Sequence, residues 1–395
     1  MKSVCAILPC FFSPFGDGVN ERNFLFTIAN YVENVYVITL IGLRQLIFRK
    51  KLSIFSQRCE NMKIIVIPFP FVPFELLRCF MLFFCSLITS LIVILLDFSK
   101  KFDFIYVRDV RIAFAFTLWK NLKNKLIVKI PAFLEDEYYN KFGKKFYEIM
   151  IISIDRKVLN NVFGLIVHSK EFARSLILKR QIKPKFIFII PPGVIKNKIE
   201  RIRKFYSRKI HSEEMVVGFL GLLEKWQGIE ILPEIIAELN RMNYNAKLLV
   251  IGDGPEKLTL IKKCKELNVK VEITGPVSHE KALYLLRKYV DFLVLPRFIS
   301  ITSSNIIPIK VIEALALNVP VIVTDIPIYK RLIGNGVFLS KRDAREFAKI
   351  ISDLFNRKIV SVCAKESLLN EYYYESNVRR LLKILAMRKS KTYST

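Results

Sequence analysis

Residues 291–325, DFLVLPRFISITSSNIIPIKVIEALALNVPVIVTD, restrict the possible fold more than any other stretch of this chain. Two short apolar runs, Phe292–Leu295 and Val319–Val323, are β-branched or aromatic and bounded by turn residues. Such runs predict central parallel strands buried on both faces. Between them lies a polar loop containing Asn305, then a helix starting near Pro308 with Lys310 and Glu313 in its first turns. An acidic residue early in a helix complements the helix dipole. In an open α/β sheet the same position sits at the carboxyl end of the strands, where ligands bind. Spacing alone fits a ligand-binding βαβ unit and an ordinary one with a capping-type glutamate equally well.

The alternation of strand and helix extends through the chain. In the first half, strands are predicted at Val4–Leu8, Val35–Thr39, Lys63–Ile67, Phe104–Val107, Lys125–Lys129, Leu165–His168 and Phe186–Ile190. Helices are predicted at Glu21–Tyr31, Cys79–Leu96, Tyr147–Val158 and from Ser169, with Gly16-Asp17-Gly18 as a loop before the first. Pro191-Pro192-Gly193 breaks the pattern, and the basic stretch Lys196–His211 reads as an interdomain linker. A second alternation has strands at Met215–Leu220, Lys247–Ile251, Val269–Ile273, Phe292–Leu295 and Val319–Val323, before a helical tail over Tyr372–Leu385. The expected class is α/β, with parallel sheets covered on both faces. A chain of 395 residues accommodates two cores. The expected division is 1–195, 212–371, and a terminal helix and tail at 372–395.

Charge and hydropathy restrict the partners. The formal net charge is +28, spread over both halves rather than held in one tail. A dispersed positive field suits an anionic membrane surface or phosphorylated substrates, although abundant Ile, Lys, Asn and Phe also follow from codon bias. No helix-turn-helix, zinc-finger or RNA-recognition pattern accompanies the charge, so nucleic acid is not an expected partner. Seven cysteines without CxxC spacing read as reduced, mostly buried thiols, and three histidines argue against a histidine-built metal site. The amino terminus enters a strand without a signal-peptide pattern. Cys79–Leu96 is an uncharged apolar run that would span roughly 27 Å as a helix, near the lower limit for crossing a bilayer. A true span would place the flanks of one parallel sheet on opposite sides of a membrane. Two placements remain: a helix buried in its domain, or one lying in the interface beside Arg78, Lys100 and Lys101.

Several motifs point to one family. Ala314-Leu315-Ala316 and Pro320-Val321-Ile322-Val323 follow Glu313, Gly252-Asp253-Gly254-Pro255 follows a predicted strand, and Thr274-Gly275 follows the next. The segment resembles the nucleotide-sugar pocket of the retaining glycosyltransferases of family four, the glycosyl transferases group 1. The resemblance implies two Rossmann-like domains of the GT-B type facing a cleft, with a terminal helix crossing back onto the first. Glu313 matches the second glutamate of the family signature and would hold ribose hydroxyls. Asn305 stands where the first glutamate contacts the donor sugar, and an amide can still bond sugar hydroxyls. Gly16 and Gly18 resemble the glycine loop that approaches the donor phosphates, and Thr274 and Gly275 border the base. In Gly221-Leu222-Leu223-Glu224-Lys225-Trp226-Gln227-Gly228, Leu222 and Gln227 replace the family's arginine and lysine ligands of the diphosphate. Lys225 and Arg297 are the expected substitutes, with the backbone N–H groups of Ile306 and Ile307 at a helix start.

The implied activity is metal-independent transfer of a sugar, with retention, from a nucleotide-diphosphate donor to a lipid-linked or membrane-proximal glycan. No cofactor is implied beyond the donor substrate. The implied location is cytoplasmic, peripheral on the inner face of the cell membrane. Two alternatives stay open: a non-catalytic sugar-nucleotide-binding or scaffold protein, and another GT-B enzyme such as a nucleotide-sugar epimerase. His168, ending a predicted strand, is expected to position its loop, and Glu135, Asp136 and Glu137 to face the acceptor.

Overall fold

The computed structural model describes residues 1–9, 11–13, 16–42, 60–69, 75–133, 145–207, 214–299 and 304–392. The expected acceptor-facing loop at 135–137 lies outside these residues, as do Cys10 and Cys59. The chain divides into two compact units. Met1–Ser13, Glu21–Pro191 and Glu375–Thr395 form the first; Pro14–Asn20 and Pro192–Tyr374 form the second.

The first unit is built on a seven-stranded sheet of β1 (Ser3–Ile7), β2 (Asn34–Gly42), β3 (Met62–Phe69), β4 (Phe104–Val107), β5 (Leu126–Lys129), β6 (Gly164–Val167) and β7 (Ile187–Ile189). The order is β3-β2-β1-β4-β5-β6-β7, and every neighbouring pair is parallel. The winding therefore reverses between β1 and β4, which makes their carboxyl ends a topological switch point. All four residues of β4 and of β6 are buried, as continuous apolar runs require when helices cover both faces. The described helices are α1 (Gly16–Ala29), which belongs to this unit from Glu21 onward, α2 (Glu75–Lys100), α3 (Val110–Thr117), α4 (Lys120–Lys123), α5 (Lys145–Asn161) and α6 (Lys170–Arg180).

Two expectations change here. Gly16-Asp17-Gly18 is not a loop but the first turn of α1. Glycine's low helix propensity argued for a loop. In a first turn, however, the N–H groups lack intrahelical partners anyway. The apolar run is neither wholly buried nor wholly outside. α2 runs for 26 residues, well beyond the predicted eighteen. Leu82, Cys85, Ser86, Thr89, Ser90 and Val93 face the core, while Phe84, Ile88, Leu91, Leu95 and Phe98 are exposed. The inward hydroxyls of Ser86, Thr89 and Ser90 donate to carbonyls of α2 itself, and Trp119 Nε1–H donates to Ser90 Oγ at 3.2 Å. A water-facing helix has the opposite polarity, with its largest apolar side chains inward.

The second unit holds a six-stranded sheet of β8 (Met215–Leu220), β9 (Ala246–Ile251), β10 (Val271–Ile273), β11 (Phe292–Leu295), β12 (Val321–Thr324) and β13 (Val337–Ser340). Its order, β10-β9-β8-β11-β12-β13, is parallel throughout and reverses between β8 and β11. Alternate residues of β8 feed two cores: Val216 and Leu220 on one face, Met215, Val217 and Phe219 on the other. Helices α7 (Lys196–Phe205), α8 (Leu232–Arg241), α9 (Lys257–Glu266), α10 (His279–Tyr289), α11 (Ile309–Ala316), α12 (Ala344–Asn356) and α13 (Glu366–Tyr372) cover it.

The expected linker is thus helical over α7. Ile199 and Ile202, three residues apart, are each 1% exposed and belong to the core of the second unit. Two apolar residues at helical spacing seat the helix, and the surrounding lysines and arginines hid them from a compositional reading. The edge strand β13 was not anticipated; four residues between Gly336 and a charged turn carry little periodic signal. The final helix, α14 (Tyr374–Thr392), groups with the first unit from Glu375 onward. Arg380 Nη2 donates to Ile189 O at 2.8 Å, and Arg379 Nε donates to Tyr31 Oη at 2.9 Å. The expected terminal crossover is therefore present.

Candidate functional site

The second unit gathers an unusual group of side chains at its switch point. β8 ends at Leu220, and Gly221 follows with a φ of +126° that only glycine adopts freely. A Cβ on Gly221 would lie 2.7 Å from Lys310 Nζ, so the missing side chain also makes room for that ammonium. Lys310 is the second residue of α11, a helix buried from Lys310 through Ala316. Glu313 lies three residues on, so the two charged side chains of this apolar helix share one face.

Arg297, two residues beyond β11, completes the group. Its Nε donates to Gln227 Oε1 at 3.1 Å, and Lys310 Nζ donates to the same oxygen at 3.4 Å. Both cations are 9% exposed. Arg297 lies over the Trp226 ring at 4.5 Å, and Lys310 over Phe219 at 4.7 Å. Among the described residues neither cation forms a salt bridge with a carboxylate. Burial, then the charge of Arg297, pushes Lys310 well below the ordinary lysine range, while Glu313 opposes the shift. Burial likewise lowers Arg297, with the Tyr329 phenol opposing. Two buried cations that share one neutral amide oxygen are a costly arrangement. An anion with several oxygens would satisfy both.

The neighbouring turns close around this point. A Cβ on Gly252 would lie 2.1 Å from Gly221 O, so the turns after β9 and β8 touch backbone to backbone. Gly252 N–H donates to Thr274 Oγ1 at 3.3 Å, which joins the turn after β10. Gly221 and Thr274, both expected, are thereby joined through Gly252, while the expected Arg297 meets Lys310 at Gln227. Lys225 is exposed, and a side chain built on Gly275 would meet open space. Asn305 and Ile306 are half-buried in the segment leading to α11, whose N-cap is Pro308 rather than Asn305. Ile306 and Ile307 therefore precede the helix start rather than form it, and the side chain of Ile307 enters the core. Gly16 and Gly18 open α1, as described above. Lys310 itself was not among the expected site residues. The available signal was a lysine in an otherwise apolar helix, at i, i+3 spacing from Glu313.

Residues 200–367 match the family model of Glycosyl transferases group 1. The matched region contains every member of this cationic group. Two curated relatives cover part of the chain. TuaC of Bacillus subtilis, provisionally named a teichuronic acid biosynthesis glycosyltransferase, is 33% identical over 39% of this chain and 36% of its own length. The alpha-monoglucosyldiacylglycerol synthase of Streptococcus pneumoniae is 28% identical over 48% of this chain and 43% of its own. The chain thus matches less than half the length of each. Among solved structures, Anabaena HepE in complex with UDP and glucose superposes with a TM-score of 0.68 at 13% identity, covering 97% of this chain and 99% of that one. The UDP-GlcNAc 2-epimerase of Methanocaldococcus jannaschii superposes with a TM-score of 0.57 at 14% identity, covering 98% and 100%. At such identities the structures establish the fold: two Rossmann-like parallel-sheet domains, as in GT-B glycosyltransferases.

The first unit carries its own buried polar cluster at its switch point. Glu21 of α1 accepts from Tyr106 Oη at 2.6 Å and forms ion pairs with Lys129 Nζ at 2.7 Å and Arg108 Nε at 3.2 Å. Burial raises the Glu21 pKa, but Lys129 and Arg108 outweigh it and hold the carboxyl below its ordinary value. His168 lies just past β6, and its Nδ1 is 3.1 Å from Ile190 O, so Nδ1 carries the proton and donates. That bond ties the turn after β6 to the end of β7, consistent with a positioning role. Burial and then Lys129 push the His168 pKa down to about 3. Unfolded histidine titrates near ~6.5. Between these values the unfolded chain binds a proton that the folded one refuses, so stability rises with pH there. We expect the first unit to lose roughly 2–3 kcal/mol between pH 7 and 4.5 from this group. Hydrogen exchange at β5 and β6 measures it, and His168→Asn, which keeps a donor but cannot titrate, should flatten the dependence.

Proposed function

We propose that the chain is a retaining, metal-independent glycosyltransferase using a nucleotide-diphosphate sugar. The observation that carries this reading is the buried Lys310–Arg297 pair beside Gly221, within the group 1 region. It restores at other positions the two positive charges lost at Leu222 and Gln227. As the glycosidic bond breaks, negative charge grows on the leaving diphosphate, and preorganised cations in a desolvated site lower that barrier. Lys310 and Arg297 take the phosphate oxygens, aided by the backbone N–H groups of Ile306 and Ile307. Glu313 accepts from the ribose, and Asn305 meets the donor sugar. The leaving phosphate then assists deprotonation of the acceptor hydroxyl, so no separate base is required. Charge stabilisation by side chains is the physical support for metal independence.

The acceptor in this reading is a lipid-linked or membrane-proximal glycan, and the protein is peripheral on the cytoplasmic face of the membrane. Support comes from the exposed apolar stripe of α2 and from the exposed Lys100, Lys101 and Lys120. A second reading, donor binding without transfer, is favoured by Asn305, which cannot supply the negative charge that would stabilise an oxocarbenium ion. Isotope-labelled UDP-, GDP-, ADP- and dTDP-sugars incubated with native membranes separate the two. Transfer of label into a lipid or glycan fraction is expected. A donor that binds but is neither hydrolysed nor transferred would leave the binding protein as the correct reading.

A further inference from the structure

The carboxylate of Glu313 is 3% exposed, yet among the described residues only one of its oxygens is bonded. Oε1 lies 2.6 Å from His279 Nε2. The other ring nitrogen, Nδ1, is 2.9 Å from Lys198 Nζ. An ammonium has three donors and no lone pair, so His279 Nδ1 must accept from Lys198. The ring proton is then on Nε2, which donates to Glu313. Lys198 stands on α7, His279 opens α10 and Glu313 lies on α11, so the relay crosses three helices. Those helices are also packed together, Ile199 of α7, Leu283 of α10 and Ile312 of α11 sharing one core. Among the described residues Glu313 Oε2 has no protein partner.

We propose that His279, its tautomer set by Lys198, is a positioning residue that fixes the Glu313 carboxylate and leaves Oε2 to accept the ribose hydroxyls of the donor. This rests on the donor-site reading above and adds to it the two residues that orient the ligand. A carboxylate on a helix retains rotational freedom about its last bond. Bonding one oxygen through a ring itself held at its far side removes that freedom before the ligand arrives, which reduces the entropy lost on binding. Sequence reading could not find the relay, because the three residues are separated by 81 and 34 positions.

Titration calorimetry on the full-length protein, with UDP, GDP and ADP and the 2′,3′-dideoxy form of each, tests it. The parent should bind at least one ribonucleotide more tightly than its dideoxy form. In His279→Phe that ribonucleotide should bind ~10- to 30-fold more weakly, the scale of a lost bond to a charged group. Its dideoxy form, which offers Glu313 nothing, should bind as to the parent. His279→Gln, whose amide N–H reaches the carboxylate, should stay within about threefold of the parent, and Lys198→Met should lose roughly three- to fivefold. Equal losses for ribo and dideoxy forms would show a merely structural role and overturn this inference, leaving the donor site intact. A Lys198→Met protein that binds like the parent would overturn the part given to Lys198. If the parent binds none of the nucleotides, the proposed function falls first, and the relay with it. Should His279→Phe fail to fold, Glu313→Gln must reproduce the selective loss of ribonucleotide affinity, and equal losses there overturn the inference.

Discussion

A Lys310→Met protein is expected to melt at a higher temperature than its parent while losing at least ~100-fold in kcat/KM for sugar transfer. Both effects have one cause. Without ligand, Lys310 is a buried cation near a second cation, sharing one amide oxygen with it, and its depressed pKa expresses that cost. Methionine has similar length and bears no charge, so it fills the space without the desolvation penalty. Replacing buried charge by apolar side chains of similar volume commonly stabilises by roughly 1–4 kcal/mol. In the proposed reaction the transition state uses that charge. Loss should fall on kcat as well as KM, since negative charge on the diphosphate increases as the glycosidic bond breaks. Calorimetric melting and steady-state kinetics with the active donor check the pair of effects. An unchanged kcat/KM would remove Lys310 from the donor site, and a lower melting temperature would make it a structural anchor instead.

Replacing Leu91, Leu95 and Phe98 together by glutamine is expected to release the protein from membranes. These side chains are 49%, 71% and 81% exposed, so the substitution removes little packing from the folded state. Full burial of each is worth about 1.5–3 kcal/mol. Even partial insertion of all three implies ~4 kcal/mol, or roughly a thousandfold in partitioning. Co-sedimentation with vesicles of mixed anionic and neutral phospholipid measures it. The parent should remain bound at 1 M salt, where the Debye length shrinks to about 3 Å and lysine–head-group attraction is screened. Complete release of the parent at that salt would mean that α2 does not insert. Retention of the triple variant would place the docking surface elsewhere.

Much of this architecture was legible in the sequence because buried parallel strands are local signals. Phe104–Val107, Met215–Leu220 and Phe292–Leu295 form strands with the bounds read from their apolar runs. Glycines were legible for a similar reason, since Gly221 and Gly252 hold backbone conformations that other residues resist. Arg297 followed from its place after a strand, whereas Glu313 and Thr274 followed from the family resemblance. Local signals failed where one property masked another. The charges of Lys196–Phe205 hid the two isoleucines that seat α7, and the helical start at Gly16 contradicted glycine's own propensity.

The sequence by itself determined two parallel α/β units, the switch-point loops and an anomalous apolar helix, because each follows from short-range periodicity and backbone preference. Only the tertiary structure decided which charges meet. Gln227, Arg297 and Lys310 are up to 83 positions apart and come together where β8 and β11 adjoin. The two cations come from a strand end and from a helix that no local spacing relates. The outward direction of the large side chains of α2 was likewise settled by packing, because its small polar residues have the same helical period and could equally have faced water. Periodicity states which residues share a face; the partners of that face are fixed by the rest of the chain.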